Sequence, residues 1–179
     1  MKKILVLYAT EEGQTAKIAT YLHDRLVDLG AQVTLANVAI TEEANNMALQ
    51  DFDLLVFGAS IHVGKIENTL VDYINRHANV IAEKQRSLFI VLMAAATKDQ
   101  ARREKSLAEV QANVSARLEV DFDDMEMIAG ALKYTQYNFF IKWVMKGIAR
   151  KEGGSTDTSR DHEYTDWEQV TAYARRLAE

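Results

Sequence analysis

The chain has 179 residues, 48% of them apolar and 26% charged, and a formal net charge of −5. That length suits one domain with a substantial core, and the negative balance argues against nucleic acid as a partner. Cysteine is absent, which excludes disulfides, Fe–S clusters, thiolate zinc sites and thiol catalysis and leaves redox chemistry to a bound cofactor.

The first apolar run, residues 4–9, has no alternation, the pattern of a parallel strand buried on both faces. With Lys2 and Lys3 in front of it the run has the outline of a signal peptide. It breaks at Thr10, Glu11 and Glu12, so a first strand in a cytoplasmic protein is expected. No apolar run reaches the roughly 18 residues of a membrane span. Residues 15–29 place Ile18, Ala19, Leu22, Leu26 and Leu29 at helical spacing, with Gly30 in the position of a C-cap glycine. Residues 32–38 and 53–58 read as the second and third strands, and 68–77 as a helix carrying Leu70, Tyr73 and Ile74 on one face. A fourth strand is expected over 87–94, a charged helix within 97–120 and a fifth strand over 125–132. Residues 137–151 form an aromatic-rich basic helix in this reading, followed by a polar loop over 153–162. The last helix starts at Thr165, with Glu168 at the capping-box spacing, and buries Trp167, Val170, Tyr173 and Leu177. There is no proline to mark boundaries.

Strands alternating with helices imply a single α/β domain over 1–179: a doubly wound, five-stranded parallel sheet with right-handed crossovers, in the flavodoxin-like order 2-1-3-4-5. In that topology ligands lie in a crevice at the carboxyl ends of strands one, three and four. Thr10, Glu11, Glu12, Gly13, Gln14 and Thr15 fill the turn between strand one and the first helix. Backbone N–H groups at a helix start, with hydroxyls added, hold a phosphate well, and Gly13 permits the turn. A Thr-capped helix start is the plainer alternative for the hexapeptide taken alone. Neither GxGxxG nor GxxxxGK[ST] is present, which sets aside dinucleotide-fold and P-loop NTPase readings. Strand three ends in Gly58, Ala59, Ser60, Ile61, His62, Val63 and Gly64, small enough for a flat ring to come close; His62 alone also suits a surface position. Met93, Ala94, Ala95, Ala96 and Thr97 would line the ring from strand four. No metal site is read.

At these residues the chain resembles a known family. T-x-x-G-x-T after strand one is similar to the flavodoxin phosphate loop, and GAS-x-x-x-G to its ring-binding loop. Together with Ile128 to Tyr134 (IAGALKY), GGSTDT from Gly153 and YTDWEQV from Tyr164, the pattern resembles the bacterial flavodoxin-like, quinone-dependent protoporphyrinogen IX dehydrogenases over nearly the whole chain. The resemblance implies FMN as cofactor, protoporphyrinogen IX as substrate and a membrane quinone, menaquinone or ubiquinone, as electron acceptor. The expected cofactor contacts are Thr10 to Thr15, Ala59, Ser60, Ile61, His62, Gly64, Ala94, Ala95 and Ala96. The carboxylates of Glu11 and Glu12 are then expected to point to solvent. No acid or base residue is carried over from the family.

Lys98, Arg102 and Arg103 are candidates for the substrate's propionates, although interspersed acids also fit a solvated helix. Lys142, Lys146 and Arg150 form a basic stripe beside an apolar and aromatic face, which suits either sheet packing or contact with the inner-membrane surface. A flavodoxin-type electron carrier is the alternative function; such carriers are usually strongly acidic, a poor match to this basic aromatic segment. A receiver-type signalling domain lacks its aspartate, since Gly58, Ala59 and Ser60 end strand three.

Overall fold

The apolar run after Lys3 becomes β1 (Lys3–Tyr8), whose Ile4 and Val6 face one core while Leu5 and Leu7 face another. All four are fully buried, which explains why the run has no polar position. The structure, a computed structural model, describes residues 1–10, 13–39, 44, 46–62, 64–132, 147, 150 and 157–179. β2 (Gln32–Asn37) and β3 (Leu54–His62) flank β1 in parallel, placing Leu5 opposite Thr34 on one side and Leu55 on the other. β4 (Lys65–Ile66) turns back on the end of β3 as an antiparallel hairpin, while β5 (Gln85–Leu92) and β6 (Asp124–Ala129) continue the parallel sheet. The order β2-β1-β3-β5-β6 gives the five parallel strands the expected 2-1-3-4-5 arrangement, with β4 added.

α1 (Gln14–Asp28) packs on the face shared by Ile4, Val6 and Val56. Its end matches the sequence reading. Gly30 has φ +89°, and the N–H groups of Gly30 and Ala31 close on the carbonyls of Val27 and Leu26. α2 (Asn68–Arg76), α3 (Ala78–Ala82) and α4 (Gln100–Ser115) cover the opposite face through Leu70, Ile74, Ile81 and Val114. The expected 97–120 helix is therefore present, in a shorter form.

The expected fifth strand is two pieces. It leaves the sheet after Ala129, and β7 (Ala131–Leu132) pairs instead with β8 (His162–Glu163), antiparallel. Gly130 is the pivot: its carbonyl accepts from the Tyr164 N–H, and a Cβ there would stand 3.0 Å from Val91 Cγ1. Strand four also stops early, at Leu92, because Met93–Ala96 winds into a 3-10 turn.

The C-terminal helix, α5 (Trp167–Ala178), shares α1's face. Its cap is Asp166, not Thr165: the Asp166 carboxylate accepts from the N–H groups of Glu168 and Gln169. A carboxylate outcompetes a hydroxyl at this place, and Thr165 is engaged elsewhere. Tyr173 is core, as expected, with its hydroxyl 2.6 Å from Ser87 Oγ; burial pushes the phenol far above its ordinary pKa. Trp167 instead lies half-buried over Tyr21, with the Lys17 ammonium 5.1 Å from its ring.

Candidate functional site

Parallel registration levels the carboxyl ends of the central strands. Tyr8 stands opposite Gly58, Gly58 opposite Phe89 and Ser60 opposite Val91, and the Ala9 N–H donates to the Gly58 carbonyl. The turn after β1, the end of β3 and the Met93–Ala96 turn thus share one edge.

The first group surrounds the start of α1. Gly13, at φ +85°, occupies the N-cap position without a side chain to cap the helix. Its N–H donates to Thr10 Oγ1 at 3.0 Å, leaving the Thr10 hydroxyl proton available for another acceptor. By contrast α4 is capped by Asp99 and α5 by Asp166. Among the described residues no side chain caps the first N–H groups of α1, and the positive end of the helix dipole lies at Gly13.

Thr15 is 1% exposed and Gln14 6%, yet Thr15 Oγ1 and Gln14 Oε1 have no partner among the described residues. Leaving such groups unmade costs about 1–3 kcal/mol each. Thr15 offers a donor to an anion; Gln14 Oε1 needs a donor such as an alcohol. A phosphate ester on a hydroxylated stem meets both requirements. The other end of the Gln14 amide is occupied: Nε2 donates to Thr165 Oγ1 at 2.9 Å, and that hydroxyl donates to the Ala129 carbonyl at 2.7 Å. Thr165 was read as a cap, and only the end of β6 beside it in space reveals its part in the site.

At the end of β3, Ser60 Oγ lies 2.8 Å from His62 Nε2, and Glu67 Oε1 approaches the same nitrogen at 3.9 Å. His62 is thus tethered into the hairpin rather than free on the surface. Two small residues serve packing. Ala59 is fully buried because β3 continues through it as a core strand, a correction to its expected place beside a ligand. Gly58 is the seat of Phe89: a Cβ there would lie 2.0 Å from Phe89 Cζ, so its space is filled. Ser60, Ile61, His62, Gly64 and the half-buried Ala94, Ala95 and Ala96 remain at the edge.

Glu11, Glu12 and Val63 lie outside the described residues, as do Lys133, Tyr134, residues 153–156 and most of 137–151, including Lys142 and Lys146. Lys98 is exposed ahead of α4, and Arg102 and Arg103 are half-buried in its first turn. Among the described residues no helix is long and apolar enough to cross a membrane.

The flavodoxin domain family matches residues 5–159. Protoporphyrinogen IX dehydrogenase [quinone] of Escherichia coli K12 is 34% identical over 98% of this chain and 94% of its own. The protein of the same name from Leishmania major is 27% identical, over 98% of this chain and 74% of that one. Oxidised flavodoxin 2 from Bacillus cereus, 17% identical, shares the fold with a TM-score of 0.55 over 98% of this chain and 97% of its own. The chain is a flavodoxin-domain protein and belongs to the protoporphyrinogen IX dehydrogenase [quinone] family of oxidoreductases.

Proposed function

We propose that the protein binds FMN and oxidises protoporphyrinogen IX to protoporphyrin IX, passing the electrons to a membrane quinone. The observation that carries the cofactor is the buried Thr15 hydroxyl, without a partner among the described residues, beside a helix start that no described side chain caps. The full-length similarity to the Escherichia coli dehydrogenase supports the substrate and the acceptor, menaquinone or ubiquinone.

Thr10, Gly13 and Thr15 would hold the phosphate, with Gln14 Oε1 accepting from a ribityl hydroxyl. Residues 60–64 and 94–96 would border the ring. A bound flavin supplies hydride acceptance, which the side chains of a cysteine-free chain do not provide. The chain's own task is to fix the cofactor, orient the porphyrinogen methylene bridge and keep water out. Lys142, Lys146 and Arg150, with their aromatic neighbours in sequence, would bring the protein peripherally to the cytoplasmic face of the inner membrane, where quinone is dissolved.

The deciding measurement is an anaerobic spectrum of FMN-loaded protein. Protoporphyrinogen IX should bleach the flavin band, and added quinone should restore it. A flavin that loads but is not bleached would make the protein an electron carrier instead. Preference for FAD would overturn the cofactor assignment.

A further inference from the structure

Behind the β3–β4 hairpin, away from the α1 turn, the structure has a cleft of about 250 Å³ between that hairpin, the start of α2 and the C-terminal end of α4. Its walls include Ile61, Ile66 and Val114, and two cations, Lys65 and Arg117, also line it. It contains none of the α1 turn and none of Met93–Ala96; Ile61 and Gly64 are the wall it shares with the crevice.

Lys65 and Arg117 have no carboxylate partner among the described residues, a condition they share with Lys2, Lys3, Lys84, Lys98, Arg103 and Arg175; what sets these two apart is that both line one apolar cleft. Arg117 is nonetheless fixed: it donates to the Ile66 carbonyl at 3.2 Å and to Asn68 Oδ1 at 2.8 Å, and its remaining N–H groups are available. α2 begins at Asn68, also in the lining, after Glu67 at its N-cap position, whose side chain makes no cap hydrogen bond. The nearby acid, Glu67, is directed at His62. Apolar walls beneath two uncompensated cations match a carboxylate on a short hydrocarbon stem.

We propose that this cleft receives a propionate arm of the tetrapyrrole substrate, a proposal that rests on the porphyrinogen reading above. The volume admits one carboxyethyl arm and the edge of its pyrrole, not a macrocycle, so the ring system stays outside, across the Ile61–Gly64 wall from the arm. Lys98, Arg102 and Arg103 are then unnecessary for substrate recognition: Asp99 lies among them as the cap of α4.

The test is a fluorescence titration of FMN-free and FMN-loaded protein with protoporphyrin IX and with its dimethyl ester. Wild-type protein should prefer the free acid by about tenfold, as expected for charge-assisted contacts. Lys65→Met should weaken the acid about threefold to fivefold and Lys65→Glu more, with ester and FMN affinities unchanged. Lys98→Met should change nothing. Equal binding of acid and ester, or loss in Lys98→Met but not Lys65→Met, overturns the proposal. The two readings fail separately. If protoporphyrinogen bleaches the flavin but acid and ester bind alike, the cleft assignment falls and the function stands. If no bleaching occurs while the Lys65-dependent preference persists, the function falls and the carboxylate site stands.

Discussion

Gln14 and Thr165 are 151 residues apart in the chain, and the Gln14 amide donates to the Thr165 hydroxyl across 2.9 Å. The hydroxyl passes the connection on to the Ala129 carbonyl at the end of β6. The start of α1 is thereby fixed from behind by the segment that leads into α5, and the orientation of a buried amide in the candidate phosphate site depends on a residue from the other end of the chain.

Thr165→Val keeps the shape and removes both bonds. It should lower stability by about 1–3 kcal/mol, since the Gln14 N–H and the Ala129 carbonyl lose their partner. FMN affinity should fall as well. Denaturant unfolding and a flavin titration on one preparation check both effects.

Thr15→Val tests the anion directly. Loss of a hydrogen bond to a charged phosphate costs about 1.5–3 kcal/mol, roughly tenfold or more in affinity. FMN should weaken by that factor while riboflavin, which lacks the phosphate, binds as before. If both ligands weaken equally, Thr15 serves the site's shape and not the phosphate.

Gly58→Ala should be destabilising by about 1–3 kcal/mol through overpacking, because the new methyl would fall inside the Phe89 ring. Combining it with Phe89→Leu should recover part of the loss. Additive destabilisation in the double variant would show that the two positions do not share the strain.

His77 supplies an acid-sensitive element. Its ring lies 4.6 Å from that of Tyr73, Nε2 is buried without a partner among the described residues, and burial, then Arg76, lowers its pKa below the ordinary 6.5. The unfolded chain therefore takes up the proton more readily than the native state. The contribution is complete above pH 6.5 and is lost as pH falls through that value toward the lowered native one. Between about pH 7.5 and 5.5, wild-type protein should lose more unfolding free energy than His77→Phe. Parallel curves for the two proteins would contradict this.

The parallel sheet was legible because strands buried on both faces read as unbroken apolar runs, and β1, β3 and β5 have such runs. The end of α1 was legible because Gly30 takes a conformation that favours glycine. The turn after β1 was legible for the same reason at Gly13, together with its polar side chains. Two-residue strands have no periodicity to read, so β4, β7 and β8 were invisible. Ala59 and Gly58 were read as space because a small residue looks the same whether a ligand or Phe89 fills the gap. Thr165 carries a capping signal one position from the residue that caps, and its actual contacts, Gln14 and Ala129, lie far away in sequence. The cleft at Lys65 and Arg117 depends on a contact between α4 and the hairpin that no local pattern encodes.

The two-rung ladder between β7 and β8 also has a consequence for engineering. Leu132 and His162 are direct partners, so residues 133–161 begin and end at neighbouring points, about 5 Å apart. Closure entropy changes slowly with loop length, so the ladder itself tolerates a longer or shorter connection between these two points. The domain has a cartridge slot at this rung: a chimera joined there tests what the segment contributes while the candidate cofactor edge keeps its own residues.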